Sequence, residues 1–300
     1  MKTIKIFAYA LAITSGVVLT SCGSDDSGGN DLPPIGGYDS SADIAPGDLV
    51  AYFPLNGNGK ESISGTEPST TSGTTWVDGA KGQAANFVNG YIKYPALANF
   101  PTTMTGFTIS AWIKVDNNKT ETSGTASTIF TMARANEWGG NMNLYVETGA
   151  YPVASDSLKY KGGYATTANG MQVYENFIKL DPWMVEENIA TPGKHVAGPN
   201  VVAGTWAHAV FTWNGETKTF TLYSNGTKIS SPAFEVRGDA TSLTFDTPTF
   251  PMIGAFGNFE NTTDTWNKPM TGQVDEIRVY KKALTPGDVN ALYLLEKEGR

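Results

Sequence analysis

The chain has 300 residues with 33 Gly and 16 Pro, a density of turn formers that favours many short elements over long helices. Hydrophobic residues make up 40% and aromatic residues 11%, while charged residues reach only 17%, so a sizeable core can form and a wholly disordered chain is excluded. A formal charge of −8 offers a phosphate backbone nothing to bind and argues against nucleic acid as a partner; the lone cysteine, Cys22, excludes a disulfide framework and any cysteine-rich metal site.

Lys2 and Lys5 open the chain, followed by an apolar run from Ile6 to Leu19. At about 14 residues the run is short of the roughly 20 needed to cross a bilayer, so residues 1–22 read as a signal peptide. The segment ends in Leu19-Thr20-Ser21-Cys22, which resembles the bacterial lipobox. That resemblance implies lipidation at Cys22 and anchoring to the outer membrane without a transmembrane helix. The other reading is an incidental cysteine at a secretory cleavage site. Residues 23–47 are rich in Gly, Ser, Asp and Pro and read as a disordered tether, with an r.m.s. reach of about 25–30 Å. Ser24-Asp25-Asp26 resembles the export signal of surface lipoproteins, which implies exposure at the cell surface; acidic residues that only keep a linker solvated would look the same.

From Leu49 onward the pattern is one of strands and turns. Phe107, Ile109, Ala111, Ile113 and Val115 alternate with Thr108, Ser110 and Lys114, the period of a half-buried strand broken only by Trp112. Asn214-Gly215 and Asn225-Gly226 join runs at Trp206 to Trp213, Lys218 to Tyr223 and Lys228 to Ser230 into a meander. Further strands are expected at Leu49 to Pro54, Ala84 to Val88, Tyr91 to Tyr94, Thr128 to Ala133, Met142 to Glu147, Met171 to Phe177, Phe250 to Gly254 and Gly272 to Tyr280. A helix is expected only at the end, where Thr285-Pro286-Gly287-Asp288 supplies a capping hydroxyl, a proline at the first helical position and a carboxylate three residues after the cap. Val289, Leu292 and either Leu295 or Tyr293 would face inward. The sum is an all-β fold, a two-sheet antiparallel β-sandwich over residues 48–297 with a short C-terminal helix.

Five pieces in order carry a family resemblance: Leu49 to Asn58, Trp76 to Gly79 with Gly82-Gln83-Ala84, Phe107 to Lys114, Gly204 to Val210, and Gly272 to Tyr280 with Ala283-Leu284 and Leu292-Tyr293. Together they resemble laminin-G-like domains of the concanavalin A-like lectin/glucanase group. The resemblance implies a jelly roll with first and last strands as neighbours and a concave face able to take a ligand. It also implies a structural Ca²⁺ between the N-terminal turn and the last strand, to which Asp275, Asn56, Asn58 and Glu61 would contribute oxygens; Asp275 capping a turn or pairing with an arginine is the alternative.

The glucanase branch carries Glu-x-Asp-x-(x)-Glu on one strand, with carboxylates about 5–7 Å apart, and no such string occurs here. Asp275-Glu276 are adjacent and so expected on opposite faces, while Glu175 could pair with Glu147 or Glu186. His208 reads as structural, and His195 lies in a Gly/Pro-rich loop without a nucleophile elbow. Residues 150–202 form an insertion rich in aromatic residues, and long ordered loops are often functional. Trp138, Trp183, Trp266 and Tyr174 are the candidate sugar-binding rings, with core packing as the competing reading of each. The resulting expectation is an envelope-anchored, non-catalytic glycan-binding lipoprotein. Alternatives are a glycoside hydrolase on the same fold and an adhesin or subunit that meets protein partners of the outer membrane.

Overall fold

The computed structural model describes residues 32–176 and 180–300, so Cys22, the signal segment and the linker up to residue 31 lie outside the described residues. In chain order the strands are β1 (Leu49–Phe53), β2 (Thr70–Asp78), β3 (Gln83–Lys93), β4 (Thr103–Met104), β5 (Gly106–Lys114), β6 (Ser127–Ala133), β7 (Asn143–Val146), β8 (Tyr160–Thr166), β9 (Gly170–Glu175), β10 (Ala207–Asn214), β11 (Thr219–Ser224), β12 (Thr227–Lys228), β13 (Leu243–Thr244), β14 (Phe250–Ile253) and β15 (Met270–Tyr280). Among the described residues two α-helices, α1 (Pro182–Ala190) and α2 (Pro286–Lys297), and three short 3-10 turns complete the list.

The ladder runs β12-β11-β10-β5-β15-β3-β14-β6-β7-β8-β9, with β1 beside β15 and β2 beside β3, and every pairing is antiparallel. It folds over as two layers of a jelly roll. β3 pairs with β15 through Ala85 to Phe87 and with β14 through Ile92 and Lys93, so this one long strand passes from the first layer to the second. The first and last strands are neighbours, as expected, with Phe53 opposite Ile277. Asn225 and Gly226 both have positive φ (50° and 73°), which makes this a two-residue turn of the kind that matches strand twist, and the meander β10-β11-β12 follows.

The core lies between the layers. Phe107, Phe211 and Phe220 form a chain of rings with centroids 5.6 and 5.8 Å apart, closed by Tyr164 at 5.7 Å from Phe220. Gly162 of β8 lets Phe211 of β10 lie against its backbone: a Cβ there would sit 2.4 Å from the ring. We expect Phe211→Ala to cost about 3–5 kcal/mol in chemical denaturation, since the ring is fully buried and facing strands cannot collapse into the gap.

The helix α2 is capped as the sequence predicts. The Thr285 hydroxyl accepts from the Asp288 N–H at 3.1 Å, and the Asp288 carboxylate accepts from the Thr285 N–H at 3.2 Å. Val289, Leu292 and Leu295 are buried with Val210, Tyr223 and Tyr280 on the outer face of the first layer.

Three local expectations change. Residues 35–47 of the linker are ordered: Ile35 pairs with Tyr38, Ser41–Asp43 form a 3-10 turn, and Ile44 is buried in the α2 cluster. Composition hid the apolar anchors Ile35, Tyr38 and Ile44 among polar neighbours. Besides β9, which the Met171 to Phe177 strand anticipates, the insertion supplies β8, which extends the second layer, and a second helix, α1, opened by Asp181-Pro182 in the same grammar as Thr285-Pro286. In β15, Glu276 has φ of 50° and the register slips between Asp275 and Arg278, so Val274 and Ile277 both enter the core. The bulge therefore replaces the strict alternation that would set Asp275 and Glu276 on opposite faces.

Candidate binding site and the family it belongs to

Alternation along β7 turns Leu144 and Val146 into the core and leaves Tyr145, followed by Glu147, on the outer face of the second layer. Register places Lys161 opposite Tyr145 and Glu175 opposite Lys161, so the three stand in a row across β7, β8 and β9. Lys161 Nζ reaches Glu147 Oε2 at 2.7 Å and Glu175 Oε2 at 2.9 Å, while Lys159 reaches Glu175 Oε1 at 3.2 Å. Burial alone would raise the Glu175 pKa, but the two lysines hold it below the usual carboxylate range. Burial would likewise lower Lys161, and its bonds to Glu147 and Glu175 keep it raised. Glu175 and Lys161 thus both favour their charged forms.

Beside this row, Trp138 from the β6–β7 turn, Trp266 from the loop before β15 and Tyr145 enclose a pocket of about 270 Å³. Trp138 meets Trp266 at 5.6 Å and Tyr145 at 6.2 Å, nearly perpendicular to each. Glu147 and the backbones of Gly124 and Gly149 complete the wall. The rim is tied together before any ligand arrives. The Asn118 amide accepts from the Thr125 N–H at 2.9 Å and donates to the hydroxyls of Thr125 and Thr148 at 2.6 and 3.1 Å. The Ala126 N–H donates to the Trp266 carbonyl at 3.0 Å, which fastens the far loop to the same rim. An aromatic wall with one carboxylate at its edge suits a ligand with an apolar face and hydroxyl groups.

Of the four expected rings, Trp138 and Trp266 converge here. Trp183 stands apart on α1, half exposed. Tyr174 is buried between the layers, where its hydroxyl donates to the Ser231 carbonyl at 3.0 Å and accepts from the Ser231 N–H at 2.9 Å, so it is a core residue. Sequence reasoning passed over Tyr145, Glu147 as a pocket wall, and Lys161. Alternation along Met142 to Glu147 was the available signal for the first two.

The residues expected to hold Ca²⁺ are all engaged with backbone N–H groups. Asp275 accepts backbone N–H bonds from Lys81 at 2.9 Å and Glu276 at 2.9 Å, Asn56 from Gln83 at 2.7 Å, Asn58 from Lys60 at 3.0 Å, and Glu61 from Tyr52 and Ile63 at 2.8 Å each. Their oxygens act as turn caps, and among the described residues no cluster of three acidic, His or Cys side chains forms a metal site. We expect neither added Ca²⁺ nor chelator to move the melting temperature; a rise with Ca²⁺ would overturn this.

His208 is a structural residue. Its Nε2 faces Ser110 Oγ at 2.7 Å and Glu296 Oε2 at 3.5 Å, all three side chains are buried, and burial pushes the His208 pKa down to about 3. A hydrolytic triad needs the carboxylate on the other ring nitrogen and a path to solvent, and this cluster has neither. Trp112, on the same outer face, packs under α2 and donates from Nε1 to Glu296 Oε2 at 2.8 Å.

An antiparallel jelly roll whose outer face carries an aromatic pocket defines a lectin-like class of domain. The chain belongs to the concanavalin A-like lectin/glucanases superfamily: residues 85–290 match its Laminin_G_3 family. No curated protein sequence matches the chain. Among solved structures, it is similar to the binding domain of Paraclostridial Mosquitocidal Protein 1, at 17% identity and a TM-score of 0.53 over 82% of this chain and 52% of that one. It is also similar to domain 4 of AbnA, a GH43 extracellular arabinanase from Geobacillus stearothermophilus solved with arabinotriose, at 18% identity and a TM-score of 0.48 over 82% of this chain and 98% of that one. A third similar structure is the receptor binding domain of botulinum neurotoxin C/D mosaic serotype, at 14% identity and a TM-score of 0.48 over 83% of this chain and 51% of that one. This chain spans about half the length of the two toxin chains. At these identities the likeness is one of fold.

Proposed function

We propose that the domain binds carbohydrate without cleaving it, and that a lipid on Cys22 holds it at the outer membrane with the sandwich at the cell surface. The observation that carries the reading is the Trp138/Trp266/Tyr145 pocket with Glu147 at its wall, preformed by the Asn118 bonds. Membership of a lectin/glucanase superfamily supports a carbohydrate ligand. Support for binding over cleavage comes from Lys161: glycoside hydrolysis needs one protonated carboxyl, and Lys161, paired with both Glu147 and Glu175, holds the Glu175 pKa below the usual carboxylate range. The anchor rests on Leu19-Thr20-Ser21-Cys22, outside the described residues.

A glycan array run with a reducing-end release assay tests the binding reading. Retention without release is expected. Release would convert the protein to a glycoside hydrolase, and silence in both would favour an adhesin that meets a protein partner. Labelling with a radioactive fatty acid, lost in Cys22→Ser, together with cleavage by external protease on intact cells, tests the anchor and its exposure.

A further inference from the structure

Trp183 is the most exposed tryptophan among the described residues, at 45%. It is nonetheless held rigidly. His195 and Phe234 stack nearly parallel, 5.0 Å apart and 4° between planes, and both meet the indole steeply at 5.2 and 5.8 Å. The loop bearing His195 is clasped to α1: the His195 N–H donates to Asn188 Oδ1 at 2.8 Å, and Asn188 Nδ2 donates to the His195 carbonyl at 2.9 Å. Glu187 lies one turn from Trp183, on the same face of the helix. Its Oε2 is fixed by His195 Nε2 at 2.6 Å and by Lys194 Nζ at 2.8 Å. A braced ring thus stands next to a carboxylate and an ammonium group.

The helix contributes only Met184 to the buried set, so this clasp does little for the core. An exposed indole loses hydrophobic stabilisation, and holding it still without a core role points to a ligand. The exposed apolar residues Val185 and Ile189 lie roughly 200–240° round the helix from Trp183, so an apolar partner would use another face. The mixture at Trp183 instead matches a sugar ring, whose C–H face stacks on the indole while its hydroxyls pair with Glu187 and Lys194.

We infer that Trp183, Glu187 and Lys194 form a second carbohydrate platform, sharing no residue with the Trp138/Trp266 pocket, so that one chain grips a polysaccharide at two places. This rests on the carbohydrate reading above. Two linked contacts multiply affinity for a long chain and add nothing for a short one.

The test uses residues 34–300, which form one compact unit, in gels containing xylan, arabinan, mannan, β-glucan or pectin, followed by calorimetry with the retained polysaccharide and its trisaccharide. Trp183→Ala is expected to weaken the polysaccharide about 10–100-fold and leave the pocket's trisaccharide affinity unchanged. Trp183→Phe should restore much of the loss, and Glu187→Gln should weaken binding with the ring intact. Unchanged polysaccharide affinity in a folded Trp183→Ala protein would overturn the second platform and leave the pocket reading standing. Binding lost in Trp183→Ala but kept in Trp266→Ala would overturn the pocket reading and support the platform. Absence of retention by the wild-type protein in every gel would overturn both.

Discussion

Replacement of Arg278 by Ala should cost about 3–5 kcal/mol of unfolding free energy, a large share of the roughly 5–15 kcal/mol that holds a domain together. Arg278 is buried under α2, with Nε on Glu296 Oε1 at 2.7 Å and Nη2 on Glu276 Oε2 at 3.1 Å. A further bond runs from Nη2 to Ser41 Oγ at 3.1 Å, and the guanidinium lies 4.0 Å over the Tyr52 ring. One cation therefore serves two carboxylates, the β1 strand, the ordered linker and α2. Its removal leaves Glu276 and Glu296 buried without a countercharge, with the Tyr52 hydroxyl and the Trp112 indole N–H still donating to them. Burial pushes the Glu296 pKa up to about 7 even with Arg278 opposing it, so without the arginine the side chain must take up a proton or drag α2 away from the sheet. Chemical denaturation is the measurement, and the expected fall in melting temperature is roughly 6–20 °C. Arg278→Met combined with Glu296→Gln should recover part of the loss, because one uncompensated charge disappears with the cation. A loss below about 1 kcal/mol in the single variant would show that the cluster is hydrated and contributes little.

Trp266→Ala should lower glycan affinity about 10–100-fold, or roughly 1.4–2.7 kcal/mol, while the domain stays folded. The ring forms one wall of the pocket and stands perpendicular to Trp138, 5.6 Å away. Truncation opens the pocket to water and removes a stacking surface, yet Trp266 is only half-buried, so stability falls far less than binding. Both rings pack on Phe256, at 5.5 Å for Trp138 and 5.9 Å for Trp266; Trp138→Ala should behave alike, with a larger stability cost, because its ring also meets Tyr145 at 6.2 Å. Calorimetry with a glycan retained by the wild-type protein reads the effect. Wild-type affinity in both variants would place the ligand elsewhere.

Much of the sandwich was legible because its signals are local. The alternation in Phe107 to Val115, the Asn225-Gly226 turn and the Thr285/Asp288 cap depend on residues a few positions apart, and chain geometry reads them without knowledge of the rest. β8 escaped because Gly162 and Gly163 interrupt its pattern; the glycine is required by Phe211, which belongs to another strand. α1 escaped because its apolar residues mostly face outward rather than forming a buried stripe.

The site divides in the same way. The sequence by itself nominated Trp138 and Trp266 as loop tryptophans, marked Cys22 as the end of a signal-like segment, and carried the family resemblance that residues 85–290 bear out. Only the tertiary structure decided that those two rings meet over Tyr145, that Tyr174 is spent in the core, that Asp275 caps a turn, and that Lys161 ties Glu147 to Glu175. The physical reason is closure of the two layers. Strand formation is settled by neighbours along the chain, whereas the company a side chain keeps is settled by segments from both ends of the sequence arriving at one face.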